Sequence, residues 1–98
     1  MEIQTKSGFK CKVDERRIKD WQYVTMSAKL AKESNELELI ETLDNMLVFL
    51  LGEEQRTELL LHLQKEYGFA DSTTVISEFK FITEQLGEQL KKSMPSQA

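Results

Sequence analysis

Apolar and polar residues alternate along the first part of the chain. Phe9, Cys11 and Val13 are separated by Lys10 and Lys12, the period-2 pattern of a half-buried strand. Opposed residues in a hairpin share a face, so Ile3 needs an apolar partner. A three-residue loop, Lys6-Ser7-Gly8, sets Ile3 against Cys11, Thr5 against Phe9 and Glu2 against Lys12. It also places Gly8 where such a loop requires positive φ. A two-residue Ser7-Gly8 turn would instead set Ile3 against Lys12. The longer loop is therefore predicted, with a hairpin over residues 1–13.

Beyond Val13 the period lengthens to that of helices. Asp14 is a suitable N-cap for a helix over 14–33, with a bend allowed near Trp21. Its apolar residues form two stripes. Ile18, Trp21, Val24, Ala28 and Ala31 make one, expected to face the core with Trp21 buried. Tyr23, Met26 and Leu30 make the other, well round the helix. A helix with two apolar stripes is sandwiched between two surfaces.

A second helix is predicted over 35–51. Asn35 with Glu38 reads as a capping-box variant, and Leu39, Ile40, Leu43, Met46, Leu47, Leu50 and Leu51 share one broad face. Gly52 is placed to end it. Glu53 and Glu54 suit the first turn of a third helix over 53–67, where the dipole favours anions. That helix is expected to bury Leu59, Leu60, Leu63 and Tyr67, and Gly68 to stop it. A last helix over 73–92 turns Val75, Ile76, Phe79, Ile82, Leu86 and Leu90 inward. Residues 93–98, SMPSQA, read as a disordered tail. The expected fold is mainly α (α+β): an N-terminal hairpin followed by about four helices around one small core, in a single domain over 1–92.

Residues 45–63, NMLVFLLGEEQRTELLLHL, hold ten apolar side chains in nineteen positions. Two helices around a glycine account for most of them. Val48, Phe49 and Leu61 fall off the inner faces, and Phe81 does so in the last helix. With Tyr23, Met26 and Leu30 they are the candidate partner-binding residues, because surplus apolar surface marks an interaction site. The same surplus predicts self-association.

Charge narrows the partners. Thirteen Lys and Arg against seventeen Asp and Glu give a net charge of −4. Residues 1–20 carry six basic and four acidic side chains, a net of +2, so the remainder carries −6. A body of that sign repels phosphate backbones, and nucleic acid is not an expected partner. No apolar run reaches the roughly 20 residues of a membrane span, and the start, MEIQTKSGFK, does not read as a signal peptide. A cytoplasmic location follows as an expectation. It fits a single cysteine, Cys11, that has no internal disulfide partner.

Candidate chemistry is sparse. His62 is the only histidine, flanked by Glu58 and Glu66 at i−4 and i+4. The trio is read as an exposed helix pair, because a metal site needs three or four ligands. Cys11 is read as a small hydrophobe, and Glu36, Glu38 and Glu41 as the solvated side of a helix. No P-loop, GxGxxG, GxSxG or HExxH stretch occurs. No catalytic residue, metal or cofactor is expected.

The segments LLGEEQRTELLLHL and ISEFKFITEQLG, with VDERRIKDW upstream, resemble the tail assembly chaperones of long-tailed (siphovirus-type) bacteriophages and prophages. The matching features are Asp20-Trp21, Leu51 to Gln55, and Ser77-Glu78, in that order across residues 9–88. Where family members often carry a Gly-Arg-Val-Pro type connection before the last helix, this chain has GFADSTT. The resemblance implies a non-catalytic assembly factor of the bacterial host cytoplasm, not retained in the mature virion. It implies binding and solubilising of the tape-measure protein and recruitment of tail-tube subunits. The alternative class is a small helical protein-binding regulator, such as an antitoxin or adaptor.

Overall fold

The computed structural model describes residues 1–93. It begins with an antiparallel hairpin, β1 (Glu2–Gln4) and β2 (Lys10–Lys12). A 3-10 helix over Glu15–Lys19 follows. Then come three α-helices: α1 (Trp21–Lys32), α2 (Glu36–Tyr67) and α3 (Ser72–Ser93). The body is elongated, 49 × 31 × 19 Å.

The hairpin has the register that side-chain alternation predicts. Ile3 pairs with Cys11 and Glu2 with Lys12. The Thr5 amide donates to the Phe9 carbonyl at 2.8 Å and the Gly8 amide to the Thr5 carbonyl at 3.0 Å. Gly8 has φ +91°, the left-handed conformation the three-residue loop demands. Ile3, Phe9, Cys11 and Val13 are buried on the inner face.

The helix expected over 14–33 is two elements. Asp14 caps only the 3-10 helix, and its carboxyl is held down at about 2 by hydrogen bonds from Arg16. Asp20 is extended (φ −64°, ψ 138°) and its side chain caps α1 through the Gln22 amide. This break separates Ile18 from the stripe it was expected to lead. The result reverses the two faces of α1. Tyr23 is buried, and Met26 and Leu30 pack against the core. Trp21, expected to be buried, is 79% exposed, and Val24, Ala28 and Ala31 are exposed beside it. The longer side chains of Tyr23, Met26 and Leu30 bury more area than a stripe ending in two alanines.

Three α-helices are counted where four were expected, because residues 36–67 run as one element, but the backbone is non-helical at Gly52, where the sequence placed the end of one helix and the start of the next. Gly52 has φ 81° and ψ 159°, a conformation essentially confined to glycine. Three side chains brace the interruption. Arg56 reaches back to Asp44 with two hydrogen bonds of 2.7–2.8 Å. Arg17 donates to the Phe49 carbonyl at 2.8 Å, and Gln55 to the Leu51 carbonyl at 2.8 Å. Gly68, at φ 90°, ends α2 as its left-handed C-cap.

The core combines Met46, Leu47, Leu50, Leu51, Leu59 and Leu63 of α2 with Phe79, Ile82 and Leu86 of α3 and the hairpin's inner face. Tyr67, expected inside, is exposed. Ser93, expected to open a disordered tail, still belongs to α3. Residues 94–98 lie outside the described residues.

Candidate interaction surface

Titratable chemistry gathers beneath the hairpin. Glu78 of α3 is 3% exposed. Its Oε1 accepts from the Thr5 hydroxyl at 2.5 Å and from the Ser7 hydroxyl. These donors satisfy the buried carboxylate. Among the described residues no buried side-chain polar atom lacks a partner. Cys11 lies in the same region, its thiol pushed up to about 11 by burial and by the nearby Glu78 charge. Burial therefore favours the neutral thiol at ordinary pH.

His62 is not the exposed partner of Glu58 and Glu66. Its Nε2 lies 2.9 Å from the Ser7 carbonyl and its ring 5.7 Å from that of Phe9. It therefore fastens the hairpin loop to α2. Gln55 does the same for β2, accepting from the Lys12 amide at 2.7 Å and donating to the Lys12 carbonyl at 2.8 Å. No group of three or more His, Cys, Asp or Glu among the described residues is arranged to hold a metal ion. No helix among them is long and apolar enough to cross a membrane.

Most of the candidate partner-binding residues are engaged within the molecule. Tyr23 stacks on Phe49 at 6.3 Å between ring centroids. The Arg17 guanidinium lies over the Phe49 ring, 5.6 Å from its centroid, a favourable cation–π distance. Met26, Leu30 and Phe81 are half-buried against the core, and Val48 is half-buried. Leu61 alone among the seven is exposed, at 58%. Phe49 and Phe81 thus serve packing first.

Surplus apolar surface exists elsewhere. Leu37 is 81% exposed, and Ile40 is also exposed. Both line a cleft of about 630 Å³ between the first half of α2 and α3, with Leu43 and Leu47 on one side and Val75 and Ile76 on the other. An adjoining hollow shares Ile40, Leu43 and Ile76. The rim carries Glu41, and Asp44 held by Arg56. At the far end of α2, Leu61, Tyr67 and Phe69 are exposed. Sequence periodicity placed Ile40 in the core because its phase matches Leu43 and Leu47. No local signal marks it as exposed, because the neighbours that other elements supply decide which part of an apolar face is covered.

Compared with protein-family models, curated proteins and solved structures, the chain matches none of them.

Proposed function

We propose that the chain is a non-catalytic tail assembly chaperone of a long-tailed bacteriophage or prophage. It holds the tape-measure protein in solution and helps recruit tail-tube subunits in the host cytoplasm. The reading is supported by the ordered resemblance of residues 9–88 to that family. The observation that carries it is apolar surface left open on an acidic helical body, at the α2–α3 cleft and at Leu61, Tyr67 and Phe69. Exposed apolar patches suit a protein that covers another's apolar surface, and the surrounding carboxylates lend the complex charge.

The client-contacting residues in this reading are Leu61 and Phe69, with large side chains facing solvent. Phe49 and Phe81 are not suitable probes, since both pack against the chain's own core. The experiment is co-expression of the tape-measure protein with wild type, with Leu61→Ser/Phe69→Ser, and with Glu66→Gln as a control. Wild type and control keep the long protein soluble, and the double variant does not. The proposal fails if the tape-measure protein is equally soluble without this chain.

A further inference from the structure

The exposed face of α1 projects apolar side chains and carries lysine, whereas the cleft between α2 and α3 is concave and apolar with a small excess of carboxylates about it. We propose that they bind each other between copies: α1 of one molecule seats Trp21 and Val24 in the α2–α3 cleft of another.

The donor face is a helix side left exposed among the described residues. Trp21 is 79% exposed, Val24 is exposed, and Ala28 lies one turn beyond with a side chain small enough for close approach. The residues that tie α1 to its own fold, Tyr23, Met26 and Leu30, lie on its other side. α1 contains Lys29 and Lys32 and no acidic residue. Trp is also the side chain that most often anchors an interface, because it buries a large rigid area with little rotamer freedom lost.

The acceptor is apolar within, lined by Leu37, Ile40, Val75 and Ile76. Glu41 and Asp44 border it together with Arg56, which pairs with Asp44. Glu36 and Lys80 line the adjoining hollow, so three carboxylates stand against two cations. The first turn of α2 adds Glu38, which pairs with Lys29 of its own molecule at 3.4 Å. Lys32 of an incoming α1 then meets a rim whose Glu36 and Glu41 are exposed. A cleft of about 630 Å³ accommodates an indole and its neighbours. The two surfaces are different parts of one chain, so the contact is either made twice in a reciprocal, isologous dimer or continues from copy to copy as a heterologous one. The whole-molecule charge of −4 opposes association at low salt, while the local Lys–Glu match favours this orientation over others.

The proposed self-association shares the α2–α3 cleft with the apolar surface that supports the proposed function, and is separated from it by variants that touch neither Leu61 nor Phe69. Its test is sedimentation velocity over a hundredfold concentration range. The samples are wild type, Trp21→Glu, Leu37→Glu and an equimolar mixture of the two variants. Both substitutions sit in the first turn of an exposed helix, where an added carboxylate suits the dipole, and circular dichroism matching wild type verifies the fold. Wild type is expected to exceed monomer mass, with Trp21 emission shifting to shorter wavelength as concentration rises. Each variant alone is expected to stay monomeric. The mixture is expected to form a one-to-one dimer, because one variant keeps a sound cleft and the other a sound α1. A monomeric wild type, or variants that associate as wild type does, overturns the proposal. So does a mixture that fails to pair.

Discussion

Gln55 completes the outer edge of the hairpin at Lys12. Its side-chain amide accepts from the Lys12 N–H and donates to the Lys12 carbonyl, as a neighbouring strand would. The exposed strand edge is thereby occupied by a helix side chain, which removes a site where another chain could pair. Replacing Gln55 by Ala should cost about 0.5–1.5 kcal/mol, since water can reach the freed groups. The specific readout is hydrogen exchange: the Lys12 amide should exchange faster in the variant while amides in the middle of α3 are unchanged.

Glu78 is buried with two hydroxyl donors. Glu78→Ala should leave Thr5 and Ser7 without their acceptor and destabilise by about 2–3 kcal/mol. Glu78→Gln keeps an acceptor oxygen and should cost less. Urea unfolding of the three proteins checks the order, and equal losses for both variants would contradict the hydrogen-bond account.

At Gly52 a Cβ would meet no atom within 4 Å, so a substitution there is opposed only by the backbone. With φ 81° and ψ 159°, Gly52→Ala should cost about 1–3 kcal/mol. A crystal structure of the variant should show either the strained conformation retained or α2 straightened and the Arg56–Asp44 pair opened.

The two faces of α1 and the core give a sharp contrast. Trp21→Ala should change monomer stability by no more than about 0.5 kcal/mol, as surface changes generally do. Leu59→Ala and Leu63→Ala, at positions with no exposed surface, should each cost about 2–5 kcal/mol. Thermal unfolding at dilute concentration distinguishes them.

Cys11 predicts a dependence on alkaline pH. Its folded pKa is raised from 9.0 to about 11, so the unfolded chain loses this proton first. The folded state holds more protons between those values, and stability falls as pH rises. The contribution is fully present below pH 9 and lost as pH passes through 11, amounting to about 2–3 kcal/mol. Cys11→Ala lacks it. The stability difference between wild type and Cys11→Ala should therefore shrink across that interval, after a constant loss from the small cavity.

The parts of the fold legible in the sequence are those governed by local chemistry. The hairpin register followed from alternation and from Gly8, and the end of α2 followed from Gly68. Core positions such as Leu50, Leu59, Leu63, Phe79 and Ile82 followed from helical phase. Phase fails at Trp21 because Asp20 restarts the helix, so residues before and after it share no common rotation. It fails at Ile40 because an apolar face is buried only where another element covers it. Glu78 carries no local sign of burial at all: its hydroxyl partners lie 71 and 73 residues away. Six of the seven candidate partner-binding residues are buried or half-buried for the same reason. Periodicity identifies which side chains share a face, and only tertiary contacts decide which face stays open.

Those long separations set an order on how the molecule is made. Thr5 and Ser7 emerge from the ribosome early, whereas Glu78 arrives after both halves of α2 have been synthesised. Isolated two-stranded hairpins are marginal in water, and closing so long a loop comes late because its entropy must be offset first. The docked hairpin therefore marks the arrival of α3. A nascent chain halted before α3 should leave residues 1–13 open to protease, and the finished protein should shield them.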